Sequence, residues 1–283
     1  MKFLSILVPV LVLGLMSVLS YQYPSLLGGF GLIALALTLL WLYSVKLQDS
    51  SIIDSFWGMG FVLVAWYWCW LNNGLQNPRA ILLCSLVSIW GIRLSLHITI
   101  RNHGKGEDYR YQAFRAAHGT SYWWISYFRV YLLQGVLLWI IAVPLFFAQY
   151  ISFTTWQIAD VYGVVIWLIG FLFEAIGDWQ LSQFKKNPAN KGYVMDKGLW
   201  KYTRHPNYFG DAFLWWGYFL LAVSVGASWT IFSPILMTFL LMKVSGVALL
   251  EQKLVETKPE YKEYVEKTSA FFPRIPKQGK RSS

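Results

Sequence analysis

The sequence predicts an all-α fold: a polytopic membrane helix bundle of about seven or eight transmembrane helices. Three observations lead there. Of the 283 residues, 56% are hydrophobic and only 13% charged, against roughly 25% charged in soluble domains, and the mean hydropathy is +0.44. Aromatic residues reach 18%, with 16 Trp; an apolar ring with a polar tip suits the boundary between lipid and water. The apolar residues also fall into runs close to the roughly 20 residues that a spanning helix needs.

Taken in order, the predicted spans are 3–20, 27–44, 56–72, 79–99, 129–149, 158–178, 208–225 and 228–249. The first follows Lys2 as a signal peptide would, but the run is long and Ser17 to Tyr21 is a poor cleavage site, so an uncleaved helix is expected. The third is short. The last two are separated only by Gly226, Ala227 and Ser228 and read as a tight helical hairpin. Cys69 and Cys84 lie in apolar runs and read as inert thiols of the core or the lipid face; two cysteines make no disulfide framework.

Basic residues set the orientation. Arg101, Lys105, Arg110 and Arg115 lie between the fourth and fifth spans. Lys185, Lys186, Lys191, Lys197, Lys201 and Arg204 lie between the sixth and seventh. The tail after 250 carries eight more, from Lys253 to Arg281. With eight spans all three regions share one face, as do Lys2 and Lys46, and the opposite loops offer only Arg79. Lys and Arg mark the cytoplasmic side, so both termini are expected in the cytosol, in a bacterial inner membrane or an endoplasmic reticulum. The net charge of +10 is then accounted for by orientation and attraction to anionic lipid. No nucleic-acid partner is expected, since no motif supports one.

Ionisable groups within lipid are costly and mark functional interiors. Asp54, Arg93, Glu174, Asp178, Asp211 and Lys243 all fall in the cytosolic halves of their predicted spans. A transporter would place polar groups near the midplane; this one-sided set instead predicts a cavity open to the cytosol. Snorkelling explains Lys243 and Arg93 singly, but carboxylates are too short to reach far.

Three motifs carry chemistry. In Lys197-Gly-Leu-Trp-Lys-Tyr-Thr-Arg-His-Pro-Asn-Tyr-Phe-Gly-Asp211, Pro206 suits the first position of a helix, whose free N–H groups attract phosphate. Arg204 and His205 precede it, and Asn207 and Asp211 share one helical face. Glu174, Asp178 and Lys185 form a second set on one face if their helix outruns the membrane; carboxylates accept from ribose hydroxyls or a carboxamide, and Lys meets phosphate. The third is Arg101-Asn-His-Gly-Lys-Gly-Glu-Asp-Tyr-Arg-Tyr111, where two glycines allow close backbone approach and the cations fit phosphate. An ordinary capped helix, an intrahelical ion-pair stripe and a basic loop are the bland readings of the three. No Walker loop, dinucleotide fingerprint or nucleophile elbow is present, and the four His are too scattered for metal spacing.

At these residues the sequence resembles the steroid 5-alpha-reductase superfamily, which includes sterol reductases and is distantly related to isoprenylcysteine carboxyl methyltransferases. The resemblance runs from about Asp54 to the end. Asp54-Ser-Phe-Trp-Gly58 and the 101–111 stretch resemble a largely uncharacterised membrane branch of it, and Arg204-His-Pro-Asn-Tyr-Phe-Gly-Asp211 is the most specific match. The resemblance implies NADPH as cofactor, held by Arg101, Lys105, Glu174, Asp178, Lys185, Arg204, His205, Asn207 and Tyr208, with Asp54 and Asp211 as candidate catalytic acids. Glu174 sits where reductases can have Asn. The adjacent Gln-Glu pair of the steroid reductases is missing, and no intramembrane Tyr stands out as the partner of Asp54. The implied organisation is an N-terminal hairpin over 1–50 and a reductase-like catalytic domain over 51–283.

The leading expectation is therefore an NADPH-dependent membrane reductase of a lipophilic enone or sterol-like lipid. The alternative is an S-adenosylmethionine-dependent methyltransferase of the isoprenylcysteine or phospholipid kind. Those enzymes also carry an Arg-His-Pro-x-Tyr-x-Gly pattern, and their tail resembles Glu251 through Pro276, with Tyr261, Tyr264 and Pro273. A non-enzymatic lipid-binding scaffold is the third reading.

Overall fold

A computed structural model describes residues 14, 18–19, 21–151, 155–244, 247, 251, 254 and 260–276. Every regular element among them is helical, so the chain is a helical membrane bundle. It forms two compact units, Met1–Thr154 and Thr155–Ser283. Most of the predicted first span lies outside the described residues, as do the end of the eighth and the outer part of the basic tail.

In the first unit, α1 is Pro24–Leu47, α2 Ile52–Leu71 and α3 Pro78–Asn102. Pro24 and Pro78 open their helices, where a missing N–H is harmless, and the Asn77 side chain caps α3 by accepting from the Arg79 N–H at 3.0 Å. The third predicted span starts four residues early, which puts Asp54 in the first turn of α2. Helices α2 and α3 touch backbone to backbone: a Cβ at Gly58 would lie 2.1 Å from the Gly91 carbonyl oxygen. Phe61, Trp68, Trp90 and Phe146 fill the core around this crossing. The indole N–H groups of Trp68 and Trp139 donate to the carbonyls of Ser25 and Leu26, each at 2.9 Å. Cys69 and Cys84 are both buried here, away from the lipid face.

The fifth predicted span begins earlier than its apolar run. Helix α4 (Tyr109–His118) is followed by α5 (Tyr122–Ser126), a π-helical turn (Tyr127–Leu132), α6 (Leu133–Ile141) and α7 (Val143–Tyr150). Arg110 and Arg115, expected in a loop, thus lie on a helix. The physical reason is local: Asp108 caps the stretch by accepting from the Arg110 N–H at 3.0 Å, and residues 109–118 contain neither Gly nor Pro.

The second unit is built on α8 (Ile158–Lys186) and α9 (Pro206–Val223). A capping box between Gln157 and Asp160 starts α8, and its 29 residues carry it about 44 Å, well past the predicted end at 178. Glycines bring the two helices together. A Cβ at Gly170 would lie 2.6 Å from the Gly210 carbonyl oxygen, and one at Gly217 2.7 Å from that of Gly163. After a turn at Ser228–Ile231 come α10 (Phe232–Phe239) and a second π-helical turn, Leu240–Val244; α11 is Tyr261–Lys267.

Among the described residues, five helical stretches are long and apolar enough to cross a membrane: Pro24–Leu47, Ile52–Leu71, Pro78–Asn102, Tyr109–Tyr150 and Ile158–Lys186. Of the seven or eight expected, most of the first and the end of the eighth lie outside the described residues. The seventh and eighth predicted spans are α9 and the apolar stretch Ser228–Val244, which at 1.5 Å per residue reach about 27 and 26 Å, just short of the hydrocarbon core.

Candidate functional site

In the second unit the candidate site forms along the facing surfaces of α8 and α9. Glu174 and Asp178 are four residues apart on the inward stripe of α8, and both side chains are buried. Gly170 and Gly177 flank them and admit α9 so closely that a Cβ at Gly177 would lie 3.2 Å from the Asn207 backbone nitrogen. Pro206 is the first residue of α9 and His205 its N-cap, as the sequence predicts. Asn207 follows at once and donates from Nδ2 to Asp178 Oδ1 at 3.0 Å. That bond fixes the amide, and the Asn207 Oδ1 left on the other side is buried with no hydrogen-bond partner. Buried acceptors in that state are uncommon and call for a donor. Asp211 stands one turn along α9, partly buried. Lys185 is exposed near the end of α8.

Arg204 and His205 face another way. The Arg204 guanidinium grips Glu251 through Nε at 2.7 Å and Nη2 at 3.0 Å, and its Nη1 donates to the carbonyls of Val265, at 3.0 Å, and Thr268. His205 Nε2 lies 3.1 Å from Glu251 Oε1, and its ring stacks on Tyr208 at 5.7 Å. Burial pushes the Glu251 carboxyl up, but His205 and Arg204 outweigh it and hold the group down at about 2. Further bonds fasten the tail: the Arg204 N–H to the Ser269 carbonyl at 2.9 Å, Thr203 Oγ1 to that of Phe271 at 2.8 Å, and the Tyr264 hydroxyl to that of Trp200. The Arg204-His205 pair thus clasps the C-terminal segment at the start of α9. Nε, Nη1 and Nη2 of Arg204, the cation expected near a cofactor phosphate, are all engaged in these bonds.

The first unit holds a second polar cluster at the start of α2. Asp54 Oδ1 accepts the Tyr111 hydroxyl at 2.7 Å, and Oδ2 accepts Arg110 Nη2 at 2.7 Å. Arg110 Nε reaches Asp108 at 2.9 Å. Behind Tyr111, Gln134 Nε2 lies 3.4 Å from the phenol oxygen and Gln134 Oε1 accepts the Trp57 indole N–H at 2.6 Å. In the connecting loop Glu107 accepts the Ser50 N–H at 2.8 Å and pairs with Arg115 at 2.9 Å. Burial raises the Glu107 carboxyl, yet these donors together leave it below the usual range. Arg101 and Lys105 are exposed at the end of α3 and in the loop beyond. Gly104 and Gly106 take φ values of +74° and +71°, the left-handed turn for which glycine is suited.

The Asn207–Asp178 contact, with Glu174 a turn away, gathers the two sequence sets of the second unit. Sequence reasoning missed three partners. Tyr111 lay inside a quoted motif but was not matched to Asp54, because 57 positions separate them. Gln134 is a polar residue inside an apolar run, and no motif marks it. Glu251 appeared only in the tail pattern of the alternative reading. Among the described residues no group of three or more His, Cys, Asp or Glu gathers as metal ligands would.

Comparison with known proteins places these features. The chain is 24% identical over 271 residues to the uncharacterised protein C594.04c of Schizosaccharomyces pombe, covering 83% of this chain and 76% of that one. Over 54 residues it is 41% identical to the probable O-methyltransferase ustE of Ustilaginoidea virens, covering 19% of this chain and 18% of the relative. No solved structure matches. A family model described as a protein of unknown function, DUF1295, matches residues 40–268, a range that takes in both polar clusters and most of the C-terminal clasp, and the chain therefore belongs to the DUF1295 family.

Proposed function

We propose that the protein is an NADPH-dependent membrane reductase acting on the conjugated double bond of a lipophilic enone or sterol-like lipid, as the resemblance to the steroid 5-alpha-reductases implies. One observation carries the cofactor half of this reading: the Asn207 carbonyl oxygen is buried without a partner, beside the buried carboxylates Asp178 and Glu174. Such an acceptor-rich surface fits the donors of a nicotinamide carboxamide and a ribose. In this reading Asn207, Asp178, Glu174 and Asp211 hold that half of the cofactor, and Lys185, further along α8, meets its phosphate. When bound, NADPH supplies a hydride to the β-carbon of the enone. Negative charge then develops on the substrate oxygen and needs a hydrogen-bond donor. Protonation at the α-carbon completes the reduction.

The experiment is to follow NADPH fluorescence in detergent-purified protein while a panel of lipophilic enones is added. Consumption matched by saturated product supports the reading; binding of S-adenosylmethionine with no NADPH consumption sinks it. A membrane methyltransferase is the second reading, favoured by the short match to the probable O-methyltransferase ustE. The distribution of Lys and Arg supports a cytosolic position for both termini.

A further inference from the structure

In the second unit, α8 carries another buried polar atom in the same state as the Asn207 oxygen. Trp167 is 4% exposed, and its indole N–H has no hydrogen-bond partner. An indole nitrogen can only donate, and a buried one ordinarily finds an acceptor. Its ring stacks on Phe171 at 5.0 Å, and its backbone lies against α9, where a Cβ at Gly217 would come within 2.7 Å of the Trp167 backbone nitrogen. Neither neighbour has a side-chain acceptor. Trp167 and Glu174 are seven residues apart on the inward stripe of α8, two turns or about 10 Å along the axis. Asp178 stands one turn further on, where Asn207 meets it. On α9 the stripe begun by Asn207 and Asp211 continues through Trp215 and Tyr218, both buried. Acceptors thus gather at the end of the helix pair nearer Lys185, and a donor lies two turns deeper.

We propose that the Trp167 N–H receives the carbonyl oxygen of the enone substrate and is the donor that the developing negative charge needs; this rests on the reductase reading and involves the second unit alone. Polarity sorts the two ligands. A nicotinamide carboxamide has N–H groups to give to Asn207, Asp178 and Glu174, whereas an enone offers only an acceptor. A resident water is the competing occupant, but a buried water needs two to four polar partners, and Phe171 and Gly217 bring no side chain for it. In apolar surroundings one aimed N–H stabilises an oxyanion far more than it would in water. In balance, the hydride from NADPH, which leaves oxidised, forms the new C–H bond at the β-carbon with its electron pair. The carbon–carbon π pair shifts towards the oxygen as an enolate, and a proton from water ends on the α-carbon. The indole keeps its own proton throughout. A lipid without an oxygen at that place has nothing to give the N–H, so the site selects a ketone over the matching hydrocarbon.

The test uses Trp167→Phe, which keeps a stacked ring and removes the N–H, with Trp167→Met as the second variant should the first not fold. Cholest-4-en-3-one labelled with carbon-13 at its carbonyl is added to the full chain in detergent. Its infrared carbonyl stretch is read without NADPH, and its reduction is followed with NADPH. In the native chain the bound carbonyl band is expected below its position in detergent alone, and in a folded variant it should return there. The kcat should fall about a hundredfold with KM nearly unchanged, because the bond strengthens as charge develops. A band at the detergent position in the native chain overturns the inference. So does a folded variant whose band stays shifted, or whose kcat equals that of an active native chain. If the shifted band is present and lost in the variant, yet the native chain consumes no NADPH, the reductase reading falls while the carbonyl site at Trp167 stands. If NADPH is consumed with enones but no band is shifted, the reading stands and the site falls.

Discussion

At Glu251 a single carboxylate joins two stretches that the sequence presents as separate motifs. Its oxygens accept from Arg204 and lie beside His205, which holds its carboxyl down at about 2. A lowered folded-state pKa stabilises the fold above the unfolded value, near 4.3, and that contribution drains away as pH falls from there towards 2. Thermal melts across this window are expected to show an acid-side loss of stability that Glu251→Gln removes, together with earlier proteolysis of the tail in the variant at neutral pH. A melt profile unchanged by the substitution would mean that the clasp carries no weight. Asp211→Asn probes the other side of α9, keeping shape while removing charge. Loss of one charge-assisted hydrogen bond costs roughly 1.5–3 kcal/mol, so NADPH affinity is expected to drop about ten- to a hundred-fold with the melting point little changed. Unchanged affinity with a lowered melting point would remove Asp211 from the site. Much of this was legible beforehand, since the start of α9 at Pro206 and the shared face of Asn207 and Asp211 are local matters of spacing and capping. The clasp was not, because Glu251 is 47 positions from Arg204 and no periodicity links them.

Among the elements, α8 and α9 owe their contact to glycine at Gly163, Gly170 and Gly177 on one helix and Gly210 and Gly217 on the other, each spaced by seven. A Cβ at Gly170 would lie 2.5 Å from the Leu214 backbone nitrogen, and backbone cannot swing aside as a long side chain can. Gly170→Ala is therefore expected to cost about 1–3 kcal/mol and to loosen Asn207 from Asp178, read as a lower melting point together with weaker NADPH binding. Gly104 is a useful contrast: nothing lies within 4 Å of its built Cβ, but its φ is +74°. Gly104→Ala should cost about 1 kcal/mol through backbone strain alone and leave binding at the α8–α9 surface untouched. Equal effects of the two substitutions on binding would argue against the close-approach account. The spans themselves were legible from apolar runs. The boundaries were less so, because capping by Asp108 extended helix into a stretch that composition marked as loop, and because α9 and Ser228–Val244 are only marginally long for a bilayer.

For the whole molecule, membership of the DUF1295 family and the apolar helices point to a multi-pass membrane protein, and the orientation proposed from the Lys and Arg distribution is open to a direct test. Reporter fusions at the C-terminus should give a cytosolic signal; a signal from the far side would mean that the parity of spans is wrong. Which reaction the bundle performs was not legible from composition or spacing, since carboxylates and cations at helix ends suit a dinucleotide and adenosylmethionine alike. The resemblance to reductases came from motifs, and the orphaned Asn207 oxygen and the Tyr111–Asp54 pair came only with the fold. Native mass spectrometry of the detergent-purified protein, with NADPH and S-adenosylmethionine supplied together, tests the central claim most directly. The reductase account expects a single adduct of NADPH mass that is lost in Asn207→Leu; an adduct of adenosylmethionine mass in its place would contradict it.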